Sequence, residues 1–224
     1  MTRKNKNVEV VSFRDSCNAI EQSKVDAMCA DIVASFNRRD AFEGSAALDS
    51  ASSYSKNRAA VLNNQIAVAR FFCALDITAA SVIERKVSAN KMFNAKALKK
   101  IVELARFAVL NERKIEKVMS AFIICALKFE ANSGEAISNA VNKSFLSNLD
   151  FSLIVADSDL AAYLADYQHA YISGGKDTQS SQARNVLDVL QLGSIVNCDN
   201  RSRGGVSLNS QHAFYSDFTA AFCK

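Results

Sequence analysis

Apolar residues recur at helical spacing through the first two thirds of the chain. From Leu98 they run Leu98, Ile101, Val102, Ala105, Ala108 and Val109, the i, i+3, i+4, i+7 stripe of one buried helix face. Asn94 is placed to cap the start of that helix. A second helix is read from Ile115, Val118, Met119, Phe122, Ala126 and Phe129, and its latter half is apolar almost all round, as in a central buried helix. The same reading predicts helices over 15–38, 58–75, 78–89, 135–147 and 159–171, the last opened by Asp157 and Asp159 as caps. The Ser-rich stretch from Glu43 to Ser55 reads as a loop.

The pattern changes near residue 173. Five of the seven glycines lie between Gly174 and Gly205, where they mark turns. A helix from Thr178 to Leu192 is expected to end with Gly193 in the left-handed position after the helix. Two short extended runs, Ser194 to Cys198 and Val206 to Asn209, flank the Asn200 to Gly205 turn and predict one β-hairpin. A last helix spans Gln211 to Phe222. The expected fold is mainly α, with a multi-helix N-terminal body over 8–150 and a smaller C-terminal unit over 151–224 that holds the hairpin.

Composition narrows the class. The chain of 224 residues contains no proline, where average usage predicts about eleven. The usual helix breaker is therefore absent. With 49% hydrophobic and 22% charged residues it falls among globular chains, which excludes disordered, collagen-like and disulfide-scaffold readings. The longest purely apolar stretch is the seven residues from Ala121 to Leu127, short of the ~20 needed to span a bilayer. Arg3, Lys4 and Lys6 are not followed by a continuous apolar segment of secretory type, so a soluble cytoplasmic protein is expected. The six cysteines, Cys17, Cys29, Cys73, Cys125, Cys198 and Cys223, form no C-x-x-C pair. They read as reduced and buried, with Cys223 the exposed exception.

Charge is unevenly placed. Between Arg85 and Lys117 stand ten basic and three acidic residues, while the remainder of the chain carries 17 basic and 20 acidic. On a helical wheel Lys96, Lys99, Lys100 and Arg106 lie away from the Leu98 stripe, so their charges are expected to face solvent or a polyanion. Spacing alone is equally compatible with a solvated helix face.

The tail carries a second signal. Ser181, Val186, Leu187, Leu190, Gly193, Ile195 and Val196, followed by Asp199, Arg201, Arg203, Gly205, Val206, Leu208 and Asn209, resemble the recognition helix and wing of winged helix-turn-helix modules of the MarR type. The resemblance spans residues 178–222, about a fifth of the chain. It implies a helix in the DNA major groove and a wing on the minor groove or backbone, which assigns Gln179, Ser180, Gln182 and Arg184 to bases or phosphates and Arg201 and Arg203 to the wing. Residues 177–224 balance four basic against four acidic side chains, few for phosphate binding. Winged helices also serve as protein-binding modules.

Catalytic patterns are weak. His169 and His212 are the only histidines, and neither has a second metal ligand at i+3 or i+4, so no metal or cofactor is expected. Cys198 with His212 lacks a third, orienting group for nucleophilic chemistry. No phosphate-binding glycine loop is present. The sequence thus favours a non-enzymatic DNA-binding regulator of transcription or replication. The alternative is a structural or assembly protein that meets an acidic protein partner or its own copies as a homo-oligomer.

Overall fold

The structure, a computed structural model, describes residues 11–84, 95–110, 149–173, 189–198 and 206–223. The helices expected at 115–129 and 135–147, the Asn94 cap and most of the 178–192 helix lie outside these residues. The described chain is mainly helical. In order it forms α1 (Phe13–Asn18), α2 (Gln22–Glu43), α3 (Ser45–Leu48), α4 (Ser53–Asn63), α5 (Gln65–Ala74), α6 (Ala79–Ile83), α7 (Ala95–Leu110), α8 (Phe151–Ile154), α9 (Ser158–Ser173), β1 (Val196–Cys198), β2 (Val206–Leu208) and α10 (Ala213–Phe222). The two strands pair antiparallel, with Val196 opposite Leu208 and Cys198 opposite Val206.

Local chemistry sets the helix starts. The orphan amides of a first turn need acceptors. Ser12, Ser52, Thr78 and Asp150 supply them to α1, α4, α6 and α8. Asp157 Oδ1 accepts from the amides of Asp159 and Leu160 at 2.9 Å each, so Asp157 caps α9 and Asp159 sits in its first turn.

The expected helix over 15–38 is two helices, α1 and α2, separated at Ala19 to Glu21. The expected helix over 58–75 is likewise broken, at Asn64, whose backbone leaves helical geometry (φ −117°, ψ 25°) while its side-chain amide donates back to the Ala60 carbonyl at 2.8 Å. Within the expected 43–55 loop, Gly44 at φ +74° ends α2 and the single turn α3 follows. Of the expected 78–89 helix, the described part is Ala79–Ile83.

Helix α7 packs against α1, α4 and α5. At one end of this arrangement five phenylalanines from four helices converge. Phe13 meets Phe71 at 6.0 Å and Phe214 at 5.7 Å, and Phe107 meets Phe214 at 5.7 Å and Phe218 at 5.6 Å, all edge-to-face. The C-terminal helix α10 therefore shares one hydrophobic core with α1, α5 and α7.

Two helix ends repeat one device. At the end of α5 the Ile77 amide donates to the Phe72 carbonyl and the Asp76 amide to that of Cys73, with Asp76 at φ +53°. At the end of the turn over residues 189–192, the Ile195 amide donates to the Leu190 carbonyl and the Ser194 amide to that of Gln191, with Ser194 at φ +56°. Both are Schellman ends, and Leu190 and Ile195, the positions whose apolar contact accompanies such an end, are both buried. The left-handed position is thus Ser194 and not Gly193, as the sequence led us to expect. Gly193 has a different reason to be glycine. A Cβ there would lie 2.7 Å from Leu75 Cδ1, so the two helix ends abut through Leu75 and Gly193.

Replacing exposed Ser194 by Gly should relieve left-handed strain and raise unfolding stability by about 0.5 kcal/mol in urea melts. Gly193→Val should lower it by about 1–3 kcal/mol, because Leu75 must move. A stabilised Gly193→Val protein would refute the close contact.

Candidate nucleic-acid interface

The basic helix α7 is enclosed. Ala97, Leu98, Ile101, Val102, Leu104, Ala105, Phe107, Ala108 and Val109 are all buried, which covers far more of the circumference than the Leu98 stripe. Between them Lys99 and Arg106 are half-buried, and Glu103, four residues after Lys99, has a side chain only 10% exposed. Lys96 lies in the first turn.

Lys100 departs from the expectation that it faces solvent or a polyanion. Its side chain is 8% exposed, and Nζ donates to Glu103 Oε2 at 3.0 Å and Oε1 at 3.3 Å. The physical reason is packing. Ala97, Leu104 and Phe107 bring neighbours onto the side of the helix that the Leu98 stripe leaves open, and a lysine caught there has to carry its own counter-charge inward. Among the described side chains, the cationic face read from the wheel therefore keeps Lys99 and Arg106, with Glu103 between them.

Gln179, Ser180, Gln182, Arg184, Arg201 and Arg203 lie outside the described residues. Their flanks are described. Ile195 and Val196 are buried, the Asn209 amide donates to the Ile195 carbonyl at 2.9 Å, and the Asn209 side chain donates to the Ser194 carbonyl at 3.0 Å. These contacts anchor the base of the β1–β2 ladder to the helix end before it.

A polar network that the sequence reading missed joins α2, α4 and α6. Arg39 is 4% exposed, yet Nε donates to Glu43 Oε1 at 2.8 Å, Nη1 donates to the Ile83 carbonyl at 3.1 Å, and the guanidinium lies 4.8 Å from the Tyr54 ring centroid. The Tyr54 hydroxyl donates to Asp40 at 2.7 Å, and Arg58 makes an ion pair with the same carboxylate at 2.9 Å. Burial, and then the hydrogen bond to Asp40, push the Tyr54 hydroxyl well above its ordinary pKa. The i, i+4 spacing of Arg39 and Glu43 was the available signal. The groups engage one another, which makes this a fastening between helices.

His169 is exposed on α9, whereas His212 caps α10 through Nδ1, which accepts from the Phe214 amide at 3.2 Å. Cys17 is buried, and its thiol is pushed up to about 12 by burial and then by Asp217. Cys29 and Cys73 are only partly buried, contrary to expectation, Cys223 is also partly buried and not the exposed exception, and none of these or Cys17 is in a disulfide. Among the described residues no group of His, Cys, Asp and Glu is placed to hold a metal ion, and no helix is long and apolar enough to cross a membrane. A groove of about 460 Å³ lies along α8 and α9, lined in part by Phe151, Val155, Ala161 and Ala165.

Lys100→Ala should be costly, since it removes the ammonium that faces the Glu103 carboxylate, whose side chain is 10% exposed. The loss should be about 3 kcal/mol, the low end for breaking a buried pair. Lys99→Ala should cost about 1 kcal/mol or less. Equal effects of the two substitutions in denaturant melts would contradict the buried pair.

No family model matches this chain, and neither a curated protein nor a solved structure does.

Proposed function

We propose that the protein is a non-enzymatic DNA-binding protein of the regulator kind, whose DNA contacts lie in a winged-helix-like C-terminal unit and not along α7. One observation carries this reading: β1 and β2 pair directly after a Schellman helix end, with Cys198 opposite Val206. The seven residues between those partners contain Arg201, Arg203 and a glycine pair, the composition a wing needs to meet phosphates. Gln179, Ser180, Gln182 and Arg184, which the resemblance assigns to a recognition helix, are the sequence-reading side chains in this proposal. Lys96, Lys99 and Arg106 are secondary phosphate contacts. Lys100 has no part in binding.

A second reading, an assembly protein that meets its own copies or an acidic partner, is favoured by a separate observation. The helices along the 460 Å³ groove also carry Leu153 at 68% and Tyr163 at 49% exposure.

DNA binding measured across a salt series separates the two. Arg201→Ala with Arg203→Ala should reduce the log-log salt slope by about 2 units, at about 0.9 per phosphate contact, with the melting temperature close to wild type. Arg184→Ala should alter preference between sequences, since an Arg to guanine contact is worth about 1–3 kcal/mol of discrimination. A double variant that binds DNA like wild type, together with self-association indifferent to DNA, would transfer the function to the assembly reading.

A further inference from the structure

Helix α10 starts on an imidazole, where α1, α4, α6, α8 and α9 start on Ser, Thr or Asp. His212 has extended backbone (φ −78°, ψ 128°), its Nδ1 accepts from the Phe214 amide at 3.2 Å, and its ring centroid lies 5.5 Å from that of Phe13 on α1. Its own amide donates to the Asn209 carbonyl at 2.9 Å. An Nδ1 that accepts carries no proton, so the capping form is the neutral ring with its proton on Nε2. Adding a proton turns that acceptor into a donor facing another donor. It also sets a positive charge against the positive end of the helix dipole.

The cap lies at a junction. Phe214, in the first turn of α10, and Phe218, one turn beyond it, fill the aromatic cluster, and Asp217 accepts from the Arg14 amide in the first turn of α1 at 3.0 Å.

We propose that His212 is an acid-sensitive latch: neutral, it closes the start of α10 against α1, and protonated, it releases that first turn.

The charged and titratable groups on the surrounding elements leave the imidazole to its burial. On α1 these are Arg14, Asp15 and Cys17, and on α10 itself Tyr215 and Asp217. Arg70 on α5 is engaged with the carbonyls of Cys17, Asn18 and Ile20, and α7 brings Glu103 and Arg106. The ring is held below the ordinary histidine range by burial. A depressed value in the folded protein means that the unfolded chain binds the proton first. The contribution of the cap is therefore complete above about pH 6.5 and is lost as pH falls through the folded value.

The test uses the full chain, wild type and His212→Asn, since Asn is a strong cap that does not titrate. Hydrogen exchange at the Phe214 amide, corrected for its intrinsic pH dependence, is followed from about pH 7.5 to about pH 5 beside an NMR titration of the imidazole. In wild type, protection should fall about fivefold, the factor that corresponds to loss of one cap, with a midpoint equal to the His212 titration and below the ordinary value. In His212→Asn, protection should stay level. Equal acid loss in both proteins, or a wild-type His212 that titrates at or above the ordinary value, overturns the proposal. If His212→Asn does not fold, coincidence of the two wild-type midpoints decides, and separate midpoints overturn it.

Discussion

A cluster of aromatic rings holds the ends of the chain to its middle. Phe13, Phe71, Phe107, Phe214 and Phe218 belong to α1, α5, α7 and α10, and each ring packs on at least one ring from another helix. Edge-to-face contacts impose a relative orientation as well as a distance. Four helices are thereby set at once. What lies further out, the capped short helices and the β1–β2 ladder, is positioned from this centre.

Short helices need more than apolar faces, because a five- or six-residue helix has unsatisfied groups at both ends and little dipole or propagation of its own. Two of them are held in the same manner. For α1, Asp217 accepts at the N-terminus and Arg70 donates to the carbonyls of Cys17, Asn18 and Ile20 at the C-terminus. For α6, Asp31 accepts from the Ala79 amide and Arg39 donates to the Ile83 carbonyl. Each anion meets the positive end of a helix and each cation the negative end. Burying Arg39 is tolerable because Glu43, Ile83 and Tyr54 together replace its water.

Much of this architecture could be read along the chain, and the failures have physical causes. The Leu98 stripe is buried as its spacing requires. Ala97, Leu104 and Phe107 were visible as a second apolar side of α7, and weighing them would have warned that Lys100 had nowhere to go. Breaks inside long helical patterns were hidden, because Asn64 is an ordinary helix residue until its amide turns back on Ala60. Gly193 was recognised as special for the wrong reason, since its neighbour Leu75 lies over a hundred positions away. The clamps on α1 and α6 also join distant residues, from 44 to 203 positions apart. Of the candidate interface, local pattern gave the basic residues but not their burial, which is decided by helices packed around them.

The hydrogen bond from the Arg14 amide to Asp217 joins residues 203 positions apart, and the Phe13–Phe214 contact beside it closes a loop of similar length. A chain emerging in order from the ribosome has to wait for about two hundred further residues before Phe13 finds Phe214. Until then the faces of α1, α5 and α7 that receive α10 are open to water and to other chains. Contacts of such separation also slow folding, since the entropy of closing the loop is lost before the contacts reward it. Without residues 213–222, Phe13 loses its partner on α10, and the apolar faces of α1, α5 and α7 that receive that helix stay uncovered.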